Sequence, residues 1–398
     1  MGSGFLPNLT MADYDYDLPD EQIARYPLAN REDSRLIVYN GHHIHHQKFK
    51  YLPGLLPANS VLAANDTKVI PARLEFTKNT GAEIEIFLLT PVDESGWIWE
   101  AMVGNRSKFK EDEMLELSKI VSGETITLSV AWWNREKNIV QLQSNSGHKI
   151  EDCLGIFGKV PLPPYLNREA ETEDWERYQS VFAINAGAVA APTASLHFTR
   201  NMWKQLEIQG HSVEFLTLHV GAGTFRPVSS PGTAGHQMHA ERFVVSEQLL
   251  QRLKTLPNGM VPVGTTSMRV LESLRFVGAR SLLGMQDYLH IQADDGYNPA
   301  LLEVPWPQAL NECIRICKVH GHLQGLTSIF IMPGFQFSAS RALITNFHQP
   351  ASTLVLLVAA FIGPVWREVY NQAIRNGYRF LSYGDACLFI PDSGTARQ

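Results

Sequence analysis

Between residues 74 and 150 the chain alternates apolar and polar positions in short runs, AEIEIFLLT, GWIWEAMVG, ETITLSVAWW and NIVQLQS, broken by Gly, Asn and Ser turns. A period of two over segments this short predicts strands with one buried face, and several at this spacing predict a small barrel or sandwich. From about residue 175 the rhythm changes to strand, loop, helix. YQSVFAI, SVEFLTLHV, TSIFIMPG and RALITNF read as strands. TRNMWKQLEIQG reads as a helix with Thr199 as N-cap and Gly210 as C-cap. TTSMRVLESLRFVG reads as a helix opened by hydroxyl residues after VPVG, and HQPASTLVLLVAAFIG as one opened by Pro350 and Ser352. The opening residues 13–64 add one more strand, RLIVYN. This pattern predicts an α/β fold: a mixed α/β sheet domain interrupted by a small inserted β-barrel domain. The expected pieces are 1–73 for the first part of the α/β domain, 74–158 for the barrel, and 159–398 for the second part. Proline-rich GKVPLPPYLNR marks the return.

Composition narrows the class. Of 398 residues, 44% are hydrophobic and 19% charged, as expected of a globular protein, and the formal net charge of −6 gives no general support to nucleic-acid binding. Four cysteines (Cys153, Cys313, Cys317, Cys387) make no disulfide framework and fit reduced thiols in a cytosolic protein. Cys313 and Cys317 share a helix face, but no further Cys or nearby His completes a metal site or an iron–sulfur cluster. The N-terminus has no basic start followed by an apolar core, and TLVLLVAAFIG is too short to span a bilayer, so a cytoplasmic protein is expected. HHIHH at 42–46 reads as a solvated surface stretch rather than a metal tract.

In open α/β sheets ligands bind beyond the carboxyl ends of the strands. This sequence loads those corners with polar groups. Thr193 and His197 precede one helix in GAVAAPTASLHFT; His219 ends the strand FLTLHV, which is followed by GAGTF (Gly221, Gly223, Thr224). Thr265, Thr266 and Ser267 lie between VPVG and its helix, and Asn346 and His348 between LITNF and its own. GHQMHAE adds His236, His239 and Glu241. NDTKVIPARL packs Asn65, Asp66, Thr67, Lys68 and Arg73 between two apolar strands, either as a salt-bridged junction or as a charged floor where the insertion meets the sheet. A single histidine here would be an ordinary structural residue; four loaded corners point to one cleft. GAGTF fails as a dinucleotide fingerprint because Arg226-Pro227 follows and no helix opens there.

The chain resembles the S-adenosylmethionine:tRNA ribosyltransferase-isomerase family of queuosine biosynthesis over nearly its whole length. The matching stretches are YDYDLPDEQIARYPLANREDSRLIV, NDTKVIPARL, VPLPPY, RYQSVFA, GAVAAPTASLHFT, TLHVGAGTFRPV, HQMHAE, VGTTSMRVLES, NFHQPASTL and YRFLSYGDA, the last containing Asp385. The resemblance implies an α/β domain interrupted by a small β-barrel. It implies transfer of the ribosyl part of S-adenosylmethionine to 7-aminomethyl-7-deazaguanine at the wobble position of a tRNA. Epoxyqueuosine forms, and adenine and methionine are released. S-adenosylmethionine is then a consumed substrate, tRNA the partner, and neither a cofactor nor a metal is required.

That chemistry suits the corners. A sulfonium acidifies its adjacent 5′ carbon, so a positioned base can take that proton, and histidine is the best-matched type near neutral pH. Departing adenine needs an acid. A methionine carboxylate would be received by N–H groups at a helix start such as Thr265–Ser267, or by Arg269. His197, His219, His239 and His348 are therefore the expected base and acid, with Glu241 orienting one of them. Asn65, Asp66, Thr67, Lys68, Arg73, Thr193, Gly221, Gly223, Thr224, Thr265, Thr266, Arg269, Asn346 and Asp385 are expected to bind substrate. The sequence departs from the family pattern at Ser195 and Ala240, usually Gly and Ser. It departs again at Gln349 and Ala351, usually Leu and Lys, and at Arg341, usually Asp. A lost lysine and an aspartate changed to arginine near the cleft would alter how a phosphate or a cationic aminomethyl group is received. A divergent paralogue with another acceptor therefore stays open. So does a silent RNA-binding module using Trp97, Trp99, Trp132 and Trp133 of the barrel.

Overall fold

The computed structural model describes residues 4–93, 95–221 and 232–392. A ten-stranded sheet forms its body. Edge to edge it runs His290–Ile291, Leu323–Thr327, Glu241–Val245, Ser212–Leu218, Val61–Asn65, Val261–Val263, Leu343–Asn346, Ala386–Phe389, Arg35–Tyr39 and Ile44–Lys48. The central strands are apolar on both faces because both faces are covered. Leu62 and Ala64 enter one core with Val261, Val263 and Met202. Val61 and Ala63 enter the other with Leu216, Leu218 and Met268. The helix Arg200–Ile208, capped by the Thr199 hydroxyl on the Met202 N–H (3.1 Å), covers the first face. The nearly buried helix Gly264–Leu282 covers the second. It lies close against the helix Trp306–His320: a Cβ on Gly278 would come within 2.0 Å of the Ala309 carbonyl oxygen, so only glycine fits.

Ser212–Leu218, Val61–Asn65, Val261–Val263 and Leu343–Asn346 are neighbours and run parallel. Their carboxyl ends therefore lie on one edge of the sheet, the edge where the loaded corners were expected.

The chain leaves this body at Arg73 and returns at Lys159, where the two backbones pair through 2.8 and 3.3 Å hydrogen bonds. Between them lies a separate antiparallel sheet of six strands, ordered Arg73–Thr77, Glu83–Pro91, Ile98–Val103, Ile139–Ser144, Glu124–Asn134, Met114–Val121. Its inward positions, among them Leu74, Phe76, Ile86, Trp99, Leu115 and Leu128, share a core with the helix Ile150–Phe157. Among the described residues no ladder joins the first and last of these strands. Trp99 is buried and Trp132 stacks on Phe109 with centroids 4.9 Å apart, whereas Trp133 is exposed.

Two expected strands are absent. YQSVFAI is irregular, and the strand lies just after it at Asn185–Ala188, beside Thr67–Val69. Tyr178 and Phe182 are buried in different clusters, so their spacing reflects two separate plugs rather than one strand face. The Gln179 side chain supplies the pairing instead, bonding both the N–H and the carbonyl of Val69. TSIFIMPG likewise leaves the ladder after its first residue, since the strand is Leu323–Thr327. The Tyr297 hydroxyl takes the place of a partner strand there: it reaches the Phe330 and Met332 carbonyls at 3.1 Å and meets the Met332 N–H at 2.9 Å.

HHIHH runs from the turn at His42 and His43 into the outermost strand; His42, His43 and His45 are exposed and His46 bonds the Tyr378 hydroxyl at 2.8 Å. The apolar 353–375 stretch is two helices, Thr353–Ile362 and Trp366–Arg375, around a short turn, with Leu356, Leu357 and Phe361 buried in the core.

Candidate active site

Beyond the ends of the parallel strands lies a cavity of about 100 Å³ lined by Thr193, Thr265, Thr266, Arg269, Asn346 and His348. Two helices open onto it. Gly264–Leu282 begins directly after the strand Val261–Val263, so its first turn forms part of the wall. Thr353–Ile362 begins at Ser352, whose hydroxyl accepts the Val355 N–H at 3.3 Å, and Ser352, Thr353 and Leu354 line the same space. Helix N-termini carry partial positive charge and unpaired N–H groups, so two of them on one wall suit a carboxylate. The Thr266 hydroxyl is buried there without a partner.

His348 stands in this wall, buried, with Nε2 2.9 Å from the Thr345 hydroxyl. The Tyr16 hydroxyl donates to its carbonyl and the Tyr370 hydroxyl accepts its N–H at 3.3 Å, which holds the turn. Burial lowers its pKa to about 3, so the ring is neutral at physiological pH.

His197 lies one layer behind. Its Nε2 is 3.1 Å from the Asn346 amide nitrogen, and its Nδ1 is 3.0 Å from the Ser34 hydroxyl. The Thr193 hydroxyl donates to the Asn346 oxygen at 2.9 Å, which turns the amide nitrogen toward the imidazole. Ser34 in turn donates to the Arg31 carbonyl, so Nδ1 carries the ring proton and Nε2 accepts. Burial, with Arg31 and Arg379 adding to it, lowers the His197 pKa to about 3. The ring faces Phe49 and its two bonding partners and is not part of the cavity wall.

A second, larger cavity of about 390 Å³ lies where the six-stranded sheet meets the α/β body. His239, Glu241, Gly221 and Arg269 line it, with Glu100 and Met102 facing from the sheet. Arg269 belongs to both cavities. Its guanidinium donates to Glu241 Oε2, while Glu241 Oε1 accepts the Gly221 N–H at 3.2 Å. Both side chains are buried, so the pair is a fixed partition between the two spaces.

Other expected residues lie outside these walls. His219 is half-buried, with Nδ1 3.2 Å from the Thr67 hydroxyl; burial and then Arg242 lower its pKa. Its ring covers Gly187, where a Cβ would stand 2.8 Å from Nδ1 and φ is +141°. Asn65 closes the strand end through Leu218 and Thr67, and Asp66 accepts from Thr217 (2.7 Å) and Asn185 (3.0 Å). Lys68 is exposed, and Arg73 pairs with Glu85 at 2.8 Å, which favours the junction reading for this stretch. Asp385 is buried and accepts the N–H groups of Arg35 and Arg379 at 2.7 and 2.8 Å, a structural brace. Arg341 is half-buried and lines neither cavity, whereas Gln349 lines the first. Gly223 and Thr224 lie outside the described residues.

Several lining residues gave no signal of their own in sequence. Tyr165 and Ser382, whose hydroxyls meet in the first cavity, sit in PPYL and FLSYG, which read as loops. Glu100 and Phe330 read as an ordinary strand residue and a core residue, and only the meeting of the two sheets brings them to one space.

A mixed α/β sheet with a polar cleft at the ends of its parallel strands is the architecture of a small-molecule enzyme. Residues 11–389 match the family model described as "Queuosine biosynthesis protein". The chain is similar to the S-adenosylmethionine:tRNA ribosyltransferase-isomerase of Sulfurihydrogenibium sp. (strain YO3AOP1), 36% identical over 389 residues that cover 96% of this chain and 100% of the relative. It is also similar to the protein of that name from Legionella pneumophila (strain Lens), 38% identical over 384 residues covering 95% and 99%. A crystal structure of S-adenosylmethionine tRNA ribosyltransferase from Thermotoga maritima aligns with a TM-score of 0.46 at 28% identity, covering 94% of this chain and 99% of that one. The chain belongs to the queuosine biosynthesis protein family.

Proposed function

We propose that the protein is an S-adenosylmethionine:tRNA ribosyltransferase-isomerase. It moves the ribosyl moiety of S-adenosylmethionine to 7-aminomethyl-7-deazaguanine at a tRNA wobble position, forming epoxyqueuosine and releasing adenine and methionine. Full-length similarity to relatives bearing that name supports the activity. The observation that carries the site is the pair of helix N-termini sharing one cavity wall with Arg269 and His348. In this reading the methionine carboxylate sits at Thr265–Ser267 and Ser352–Leu354, with Arg269 between it and the second cavity. His348, neutral in the wall, and His239, in the second cavity, are the nearest groups to accept the 5′ proton and to protonate departing adenine. His219 stands farther along the same sheet edge. Thr193 and Asn346 orient the ribose, and His197 acts through Asn346. Residues 1–73 and 159–398 form the α/β part, residues 74–158 a small barrel-like module, and the location is cytoplasmic.

Replacing each of His197, His219, His239 and His348 by Ala and measuring adenine release, with mass spectrometry of the tRNA, tests the reading. Loss of release in the His348 or His239 variant is expected. Near-normal turnover in all four variants defeats the assignment, and adenine release without a tRNA adduct in the unmodified protein defeats the acceptor.

A further inference from the structure

The 390 Å³ cavity between the two sheets is nearly four times the size of the cavity at the helix N-termini, and it falls in the range of ligand sites where the smaller one does not. Its walls are mostly apolar, with Met238, Phe330 and Leu357 on the α/β side and Met102 on the other. The rim is open: Met102 and Leu326 are 43% and 40% exposed, and Glu100 and His239 are exposed as well. A nucleotide within an RNA chain has to enter from the surface, and an everted base is held by apolar and aromatic walls with a few polar groups at its edge. This cavity offers that geometry, and Arg269 joins it to the space assigned above to the methionine carboxylate.

Two carboxylates face it. That of Glu241 is committed to Arg269 and the Gly221 N–H. Among the described residues, that of Glu100, on the strand Ile98–Val103, has neither an ion pair nor a hydrogen bond, and Arg269 is the one Lys or Arg side chain in the lining. A site with one uncommitted negative charge at its mouth and apolar walls selects a flat heterocycle carrying a cation.

We infer that the inter-sheet cavity is the subsite for the acceptor base, and that Glu100 determines its specificity by receiving the protonated aminomethyl group. The inference rests on the activity proposed above and extends it to a residue of the inserted sheet. Glu100 holds the ammonium form on arrival, and the amine must release that proton before it acts as a nucleophile. Glu100 therefore sets recognition rather than the rate of ribosyl transfer.

The test uses the full chain and two anticodon stem-loop RNAs, one with 7-aminomethyl-7-deazaguanine and one with guanine at the wobble position. The unmodified protein should prefer the aminomethyl RNA. E100Q should lose about tenfold in affinity for it, with affinity for the guanine RNA and for S-adenosylmethionine unchanged. L326W, which fills the exposed rim, should weaken both RNAs and leave S-adenosylmethionine binding intact. Retained preference in E100Q, no preference in the unmodified protein, or an L326W protein that loses S-adenosylmethionine instead of RNA each overturns the inference. The last of these would place the purine of the sulfonium substrate in the cavity. Absence of ribosyl transfer by the unmodified protein is a separate result and defeats the proposed activity instead.

Discussion

Asn346 faces His197 with its amide nitrogen 3.1 Å from the imidazole Nε2, so a residue of the cavity wall is aimed by a histidine that does not itself reach the cavity. Both ring nitrogens of His197 are occupied, which makes it a positioning residue for Asn346 and, through that amide, for Thr193. H197A leaves the Asn346 N–H and the Ser34 hydroxyl short of partners. A stability loss of about 2–4 kcal/mol is expected. Turnover should fall by roughly ten- to a hundredfold through misplacement, with the pH optimum unmoved. Urea unfolding together with a pH–rate profile checks this, and a displaced pH optimum would instead make His197 an acid or base.

His197 and His348 are both buried neutral, with pKa values near 3 against about 6.5 for a free imidazole. The sign follows from proton uptake. Above pH 6.5 both folded and unfolded rings are neutral, and nothing changes with pH. Below it the unfolded chain binds protons that the folded chain refuses, so stability falls as pH drops from about 6.5 toward 3. Each ring contributes a slope of up to about 1.4 kcal/mol per pH unit in that window. The unfolding free energy of H348Q should depend on pH less steeply than that of the unmodified protein between pH 6.5 and 5. Equal slopes would mean that His348 is accessible to solvent protons in the folded state.

The corners were legible because they rest on local chemistry. Thr199 and Ser352 are helix caps on sight, and the parallel strands that carry Thr265 and His348 follow from alternation of strand and helix. Which corners converge depends on strand order, and that is set by pairing between distant segments. Thus Arg269 and Glu241, 28 residues apart, form the partition, while His219, one strand away from Glu241, turns toward Thr67. Asp385 has the profile of a ligand-binding acid in sequence, yet two backbone N–H groups absorb it. Glu100 shows the opposite case. Nothing in an alternating strand distinguishes a solvent-facing carboxylate from one facing a second sheet.

The Arg269–Glu241 pair separates structural from functional cost. Removing one partner leaves a buried charge alone, and E241L by itself should destabilise by about 3–5 kcal/mol. The double substitution E241L/R269M removes both charges and should recover most of that stability while failing to bind S-adenosylmethionine. R269K keeps the charge but loses the planar fork, and KM for S-adenosylmethionine should rise about tenfold. Calorimetric binding beside urea unfolding distinguishes these outcomes. Normal binding by the double variant would reduce the pair to scaffolding.

Ala351 has a left-handed backbone, φ 49°, at the step from His348 and Gln349 into the cap Ser352. Its N–H donates to the Tyr14 carbonyl at 3.1 Å, so the conformation is held by a contact with the N-terminal segment. An L-residue with a Cβ adopts that region at a cost of about 1–2 kcal/mol, and glycine does not incur it. Glycine also raises the entropy of the unfolded chain, which offsets part of the gain. A351G should therefore stabilise by about 0.5–1 kcal/mol in urea unfolding with KM for S-adenosylmethionine unchanged. A351V tests the same geometry from the other side, because a β-branched side chain resists positive φ. The turn would have to open, the start of the helix Thr353–Ile362 would shift in the cavity wall, and KM should rise along with a loss of stability. If A351V instead binds S-adenosylmethionine normally, the start of that helix is not where the carboxylate is held.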